Sequence, residues 1–368
     1  MQLKDVVTHL DAFAPLRLAE PWDNVGLLTG DPDGHIADVM LCIDATAEVL
    51  AEAAGSPTDL LVAYHPPLFK PVKRLAWDSP VAVAARRNLA IYSPHTALDA
   101  VQGGTNDVLA DAAGLGYRTP LQPAATTPEH KLVTFVPVHA ATQVADALFA
   151  AGAGRIGTYT HCSHSTEGEG TFLPGPGSMP ATGTLGELSH VAERRLEVRL
   201  PAERLMAVVA ALQRSHPYEE PAYDVLAIVP VSSQVGQGRV GTLPAAEVCS
   251  LDAFRQRLSR AMGVPQVALA STAAAERKPV QRVAVAAGAG DALWPAAHAA
   301  GVDVFVTGEL RHHTVLAALA AGTRVVALGH DGSERAALAP LMHRLRARVP
   351  NLRVRLSQAD VSPWRRTA

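Results

Sequence analysis

The sequence predicts an α/β protein with a largely parallel sheet, interrupted in the middle by an α+β piece. Three observations predict it. Short apolar runs, DVMLCID (38–44), DLLVAYH (59–65), LAIYS (89–93) and RVVAL (324–328), each feed a polar loop and then a helix-type stretch. Composition shifts at TPLQPAATTPEH (119–130) and again from Pro230 to Gly241, as expected of linkers. Ligand-type residues stand just past several strand ends, where open α/β sheets gather their sites.

Composition bounds the classes. With 368 residues, 48% hydrophobic and 18% charged, the chain has material for two folded domains with sizeable cores. A net charge of −3 gives no global attraction for nucleic acid or anionic lipid, so neither is expected as a partner. The local basic run from Arg344 to Arg355, with Arg365 and Arg366 beyond, reads as a solvated helix face and an edge strand. Cys42, Cys162 and Cys249 are far apart and form no CxxC, which suits a reducing cytoplasm and no thiolate site. MQLKDVVTHLDAF spaces Leu3, Val6, Leu10 and Phe13 as a helix and does not read as a signal peptide; no apolar run is long enough to span a bilayer.

In order, the first helix is followed by EPWDNVGLLTGDP, expected as an irregular loop. Strands then end at Asp44 and His65, where a proline pair blocks helix continuation. Pro80–Asn88 reads as a helix. LAIYS is a strand with His95 and Asp99 in the loop beyond, and GGTNDVLADAAG (103–114) is a helix. The middle piece reads strand, helix, a long loop or hairpin over Thr158–Pro180, then strand, helix, strand: the ferredoxin-like pattern. The last part carries RVAVAAGAGDAL (282–293), a strand into a tight glycine turn, then DVFVTGELRHH (303–313), with Glu309 in a loop and His312 and His313 opening a helix. RVVALGHDGSE (324–334) follows, and LRVRLS (352–357) is a final strand. If a helix starts at the turn, His330 and Glu334, four apart, share one face.

Four strand ends therefore present ligand types: His65; His95 with Asp99; Glu309 with His312 and His313; His330 with Glu334. Singly, each has an ordinary explanation as a cap or a hydrogen-bonded loop residue. Repetition in four βα units, whose tips converge in a parallel sheet, points to a metal site. Two imidazoles and two carboxylates suit a pair of divalent ions ~3.5–4 Å apart. HPYEEP (216–221) and HCSHSTEGEG (161–170) read as a structured loop and a solvated loop.

The same residues resemble the Nif-three-like dinuclear-metal family, also described as GTP cyclohydrolase I type 2 homologues. The matching stretches are PWDNVGL (21–27), YHPPLF (64–69), SPHTALD with GGTNDVLA (93–110), GRVGTL (238–243), TGELRHH (307–313) and GHDGSE (329–334). The resemblance implies a two-lobed α/β core, residues 1–125 and 236–368. It implies an insert, 126–235, similar to the PII and CutA type of ferredoxin-like domain, signposted by FVP, ALFAAGAGRIGTY and HPYEEPAYD. It also implies a homohexameric toroid, and metal ligands at His65, Asp99, His330 and Glu334, with Glu334 as the bridge. Tyr64 stands where many members have a second histidine; His95 is the nearest replacement. The expected activity is that of a metal-dependent hydrolase acting on a nucleotide or related small molecule. It would use two divalent ions (Zn, Mn or Fe), with Glu309 or His95 as acid or base. The alternative is a ring-shaped regulatory assembly with structural metals and a ligand-sensing insert.

Overall fold

Runs of buried aliphatic residues become interior strands because only a sheet covered on both faces can hide every side chain. In the computed structural model, which describes residues 1–125, 128–229 and 234–364, two such sheets form. The chain divides into two compact units: Met1–Ala124 with Ser233–Ala368, and Ala125–Ser232.

The first unit opens with β1 (Gly26–Thr29), β2 (Asp38–Cys42), β3 (Leu60–Ala63), β4 (Ala90–Ser93) and β5 (Arg118–Pro123). The second holds β6 (Glu129–Pro137), β7 (Ser163–Phe172), β8 (Ser189–Pro201) and β9 (Tyr223–Ile228). The chain returns to the first unit with β10 (Gly236–Thr242), β11 (Ala268–Ala270), β12 (Arg282–Ala289), β13 (Val304–Glu309), β14 (Arg324–Ala327) and β15 (Arg353–Leu356).

The expected largely parallel sheet is corrected to two mixed sheets. One runs β1-β4-β3-β2-β15, parallel except for β1 on β4; the other runs β11-β14-β13-β12-β10-β5, parallel only across β12, β13 and β14. The last strand does not stay with its sequence neighbours: β15 pairs parallel with β2 and completes the first sheet. On one face of that sheet, Val39, Leu41, Leu60 and Val62 pack against Leu3, Val6 and Leu10 of the helix Leu3–Phe13 and Leu338, Leu341 and Leu345 of the helix Leu338–Arg348. On the other, Met40, Leu61 and Ile91 meet Val49, Leu50 and Ala53 of the helix Ala47–Gly55. In the second sheet, Val283, Val285, Val304, Val306 and Val326 pack against Leu109, Phe254 and Leu258.

Three stretches expected to be irregular are ordered. EPWDNVGLLTGDP contains β1, an edge strand whose register shifts between Leu27 and Thr29. The two linkers hold β5 and β10, which pair antiparallel; residues 126–127 and 230–233 of those stretches lie outside the described residues. Gly236, Gly238 and Gly241 give β10 no apolar alternation, so ladder bonds to β12 and β5, rather than side-chain pattern, make it a strand. His95 and Asp99 stand in a short helix, His95–Ala100, not in a loop.

Glu52 fastens the C-terminal segment to the first sheet. Its carboxylate accepts from Arg355 at 2.6 Å, the Ser357 hydroxyl at 2.5 Å and the Gln358 and Ala359 amides at 3.0 Å. Burial pushes its pKa up, but these donors outweigh it and bring it from 4.5 to about 2. A lowered carboxyl pKa contributes stability above the unfolded value and loses it as pH falls toward the folded one. Glu52→Gln is therefore expected to flatten the loss of stability between about pH 5 and 2 in acid denaturation, and an unchanged acid limb would contradict this.

The second unit runs strand, helix, strand, strand, helix, strand, with sheet order β7-β8-β6-β9, antiparallel throughout. Val144 and Leu148 of the helix Ala141–Ala150 and Val208 and Leu212 of the helix Leu205–Ser215 pack with Leu132, Val136 and Leu196. The Thr158–Pro180 region contributes β7, a polar, exposed strand paired with β8 over its whole length.

Candidate metal centre

The site assembles within the first unit, from the ends of both of its sheets. Past β3, the amides of Tyr64 and His65 still bond the carbonyls of Cys42 and Ile43, at 2.9 and 3.0 Å, so His65 is held on an extension of the ladder. Past β14, Gly329 takes φ +84° and a short helix, His330–Glu334, begins at once. That start puts His330 and Glu334 on one face, as their spacing requires.

Glu334 is 3% exposed and addresses both imidazoles. Its Oε1 lies 3.3 Å from His330 Nε2 and its Oε2 3.2 Å from His65 Nε2. The opposite nitrogen of each ring is held by another carboxylate: His65 Nδ1 to Asp44 at 2.9 Å, and His330 Nδ1 to Glu309 at 3.0 Å. An imidazole anchored through Nδ1 points its Nε2 lone pair at whatever lies ahead, which is the usual outer arrangement around a metal-binding histidine. His65 Nε2 and Glu334 Oε2 are both buried and neither completes a hydrogen bond. Such orphaned atoms are costly unless a third partner satisfies both. The ligating atoms of His65, His330 and Glu334 lie within 4.8 Å of one another, so this group can hold a metal ion. Burial alone would lower the His65 pKa; the hydrogen bond to Asp44 and the negative charges of Glu334 and Asp44 overcome this and raise it to about 10. The carboxylates thus favour positive charge at this point.

Asp99 and His95 line the same cleft but stand outside that three-residue group. The Tyr64 hydroxyl, fully buried, donates to Asp99 Oδ1. Burial and the charge of Glu334 raise the Asp99 pKa to about 6 against the lowering by His95 and Tyr64. His95 sits at φ +26°, a strained value for a non-glycine residue, with its ring centre 5.4 Å from that of His65. Asp23 holds it there through Nδ1 at 2.8 Å, while also accepting from the Thr96 amide and hydroxyl. Glu309, expected as an acid or base, engages His330. His312 and His313 begin the helix His312–Ala320, are exposed, and do not join the group.

Sequence reading missed the supports. Asp44 was visible only as one more strand-end residue, and Asp23 only as part of a turn cluster. Arg239 is 2% exposed and pairs with Asp107 through Nε at 2.8 Å. It also donates to the carbonyls of Gly236, Gly238, Ala100 and Val101, clamping the end of the helix that carries Asp99. Asn106 bridges further, donating to the Asp99 carbonyl at 3.0 Å and accepting from the Ala287 amide at 2.9 Å. Gly288, at φ +64°, is required for closeness: a Cβ there would lie 2.5 Å from Glu334 Oε1.

The cleft measures about 820 Å³. Trp22 and Phe69, largely exposed and edge-to-face at 5.7 Å, form an aromatic wall beside His95, and Arg311 also lines it. If Asp44 sets His65, Asp44→Asn is expected to weaken metal binding about 10–100-fold without changing the fold. Competition against a chromophoric chelator reads this; unchanged affinity would show that Asp44 has no such part.

The chain thus folds as a two-sheet α/β core with a carboxylate–imidazole cluster at its strand ends that could hold a metal ion. A model of the Duf34/NIF3 (NGG1p interacting factor 3) family matches residues 1–363, and the chain belongs to that family. It is 39% identical over 317 residues to a Mycobacterium leprae "GTP cyclohydrolase 1 type 2 homolog", covering 85% of this chain and 81% of the relative. A Bacillus subtilis protein of the same description is 37% identical over 331 residues, 89% and 87% of the two chains. Among solved structures, a Bacillus cereus protein related to NIF3 matches with TM-score 0.73 at 31% identity, over 100% of this chain and 99% of that one. A Staphylococcus aureus protein matches with TM-score 0.80 at 25% identity, again over 100% and 99%. Among the described residues no helix is long and apolar enough to cross a membrane.

Proposed function

We propose that the cleft is the active site of a metal-dependent hydrolase acting on a nucleotide or a related small molecule. The observation that carries this reading is Glu334, buried between two anchored imidazoles with one oxygen toward each and no partner to complete its bonding. His65, His330, Glu334 and Asp99 would hold two divalent cations (Zn, Mn or Fe), with Glu334 shared between them. Cations held in this way supply Lewis acidity and make water a nucleophile near neutral pH. The chain's own residues supply the remainder. Asp44 and Glu309 fix the two imidazoles, and Glu309 is thereby a positioning residue. His95, oriented by Asp23, offers its free Nε2 to the cleft as proton acceptor or donor. Trp22 and Phe69 present faces on which a planar base can stack, and Arg311 offers charge to a phosphate. Tyr64 occupies a lone pair of Asp99, which would leave a cation at Asp99 the more weakly held.

The names of the relatives make GTP the first substrate to try. Metal-loaded protein is expected to turn over GTP or another nucleotide or phosphoester, and His95→Ala to lower kcat while retaining metal. Turnover by loaded wild type no greater than that of metal-stripped protein across such a set would contradict the hydrolase reading.

We also read residues 126–235 as a ferredoxin-like insert of the PII and CutA type between core lobes 1–125 and 236–368, a reading supported by the strand order of the second unit. Family membership supports a homohexamer, which sedimentation of the intact chain tests: six-chain particles are expected, and monomers would count against it.

A further inference from the structure

The second unit holds a cavity of its own, about 630 Å³, bounded by β7, β8 and the HPYEEP segment. This is the size of a small-molecule site. Its walls include Phe172 and Tyr218, edge-to-face with centres 5.8 Å apart. Four glutamates line it, Glu169, Glu193, Glu219 and Glu220, and no lysine, arginine or histidine does, although Glu169 is paired with His190 at 3.0 Å.

Glu193 is the telling residue. It is 7% exposed, and one of its oxygens accepts from the Tyr218 hydroxyl at 2.7 Å. No cation of the chain pairs with it among the described residues. Its other oxygen turns toward β7, where Gly170 makes the room: a Cβ at that position would lie 2.2 Å from Glu193 Oε2. A buried carboxylate normally has a positive partner, because desolvation without one is expensive. These glutamates are not gathered as metal ligands are: among the described residues, the one group of three or more acidic, histidine or cysteine side chains whose ligand atoms lie within 4.8 Å of one another is the His65 centre, so the glutamates stand around a space rather than at a point. Spread carboxylates with aromatic walls fit a cation that carries its charge on an apolar body, held by charge and by the ring faces.

We propose that this cavity binds a small organic cation, an ammonium or guanidinium compound with an aromatic or apolar body, with its charge at Glu193. The inference is independent of the metal centre. It is tested on the full chain by titration with three ligands that share one ring and differ in charge: tryptamine, its neutral analogue tryptophol, and the anion indole-3-acetate. Tryptamine is expected to bind at one site per chain, about tenfold or more tighter than tryptophol, with indole-3-acetate not binding. Glu193→Gln keeps an acceptor for Tyr218 and removes the charge. It is expected to bring tryptamine down to the affinity of tryptophol and leave tryptophol unmoved. Should Glu193→Gln fail to fold, Glu219→Gln with Glu220→Gln reads the same charge at the exposed rim, and tryptamine affinity is expected to fall. Equal binding of the three ligands, no binding of tryptamine at millimolar concentration, or tryptamine binding unaffected in the variants would each overturn the proposal.

Discussion

Glu334→Gln is expected to abolish tight metal binding while leaving the protein at least as stable as metal-free wild type. The carboxylate is nearly fully buried, and its Oε2 completes no hydrogen bond. Without a metal its desolvation is offset only in part by the imidazolium of His65, and a neutral amide of the same shape lowers that cost while His65 keeps Asp44 as its counter-charge. With a cation it is the one ligand facing both imidazoles, so its loss should exceed the ~10–100-fold effect of an outer carboxylate such as Asp44. Opposite movements of affinity and melting temperature are the signature of a residue kept for function at a cost in stability. A variant that melts lower than the metal-free parent yet retains metal would place Glu334 in the packing rather than in the site.

Arg239→Met is expected to be among the most destabilising single changes in the chain. It strands Asp107, 3% exposed, and leaves the carbonyls of Ala100, Val101, Gly236 and Gly238 without their donor. Breaking a buried ion pair from one side costs about 3–5 kcal/mol. Arg118, 2.9 Å from Asp107, retains part of the neutralisation, which favours the lower end of that range. Urea denaturation should show the loss, and adding Asp107→Asn should restore part of it, since the penalty lies in the unpaired carboxylate. A loss below about 1 kcal/mol would mean that Arg239 does not clamp the helix carrying Asp99.

The same arginine shows where sequence reading stopped. GRVGTL was visible as a motif, but its arginine lay in a stretch that composition marked as a linker. Glycines removed the alternation that signals a strand, and the partners, β12 and β5, are distant in sequence. The interior parallel strands were legible because each carries an apolar run, unbroken in the fully buried β3. β15 was legible as a strand, but not as a partner of β2, because nothing local in LRVRLS encodes that pairing. At the site, the donors were legible by type and by position past strand ends, and the four-residue spacing anticipated the shared helix face of His330 and Glu334. Their anchors were not. Asp23 and Asp44 act across the fold on His95 and His65, and such pairings have no spacing to read. Gly288 looked like a tight turn; its positive φ agrees, but the closeness of Glu334 is a tertiary fact.

Two anchored imidazoles and the carboxylate they share are placed to hold a metal ion. Diffraction at a metal absorption edge, from crystals of protein stripped and reloaded with zinc or manganese, tests it most directly. The expected result is an anomalous peak within coordinating distance of His65 Nε2, His330 Nε2 and Glu334, with a second and weaker peak toward Asp99. Reloaded protein with no peak between the two histidines would contradict it.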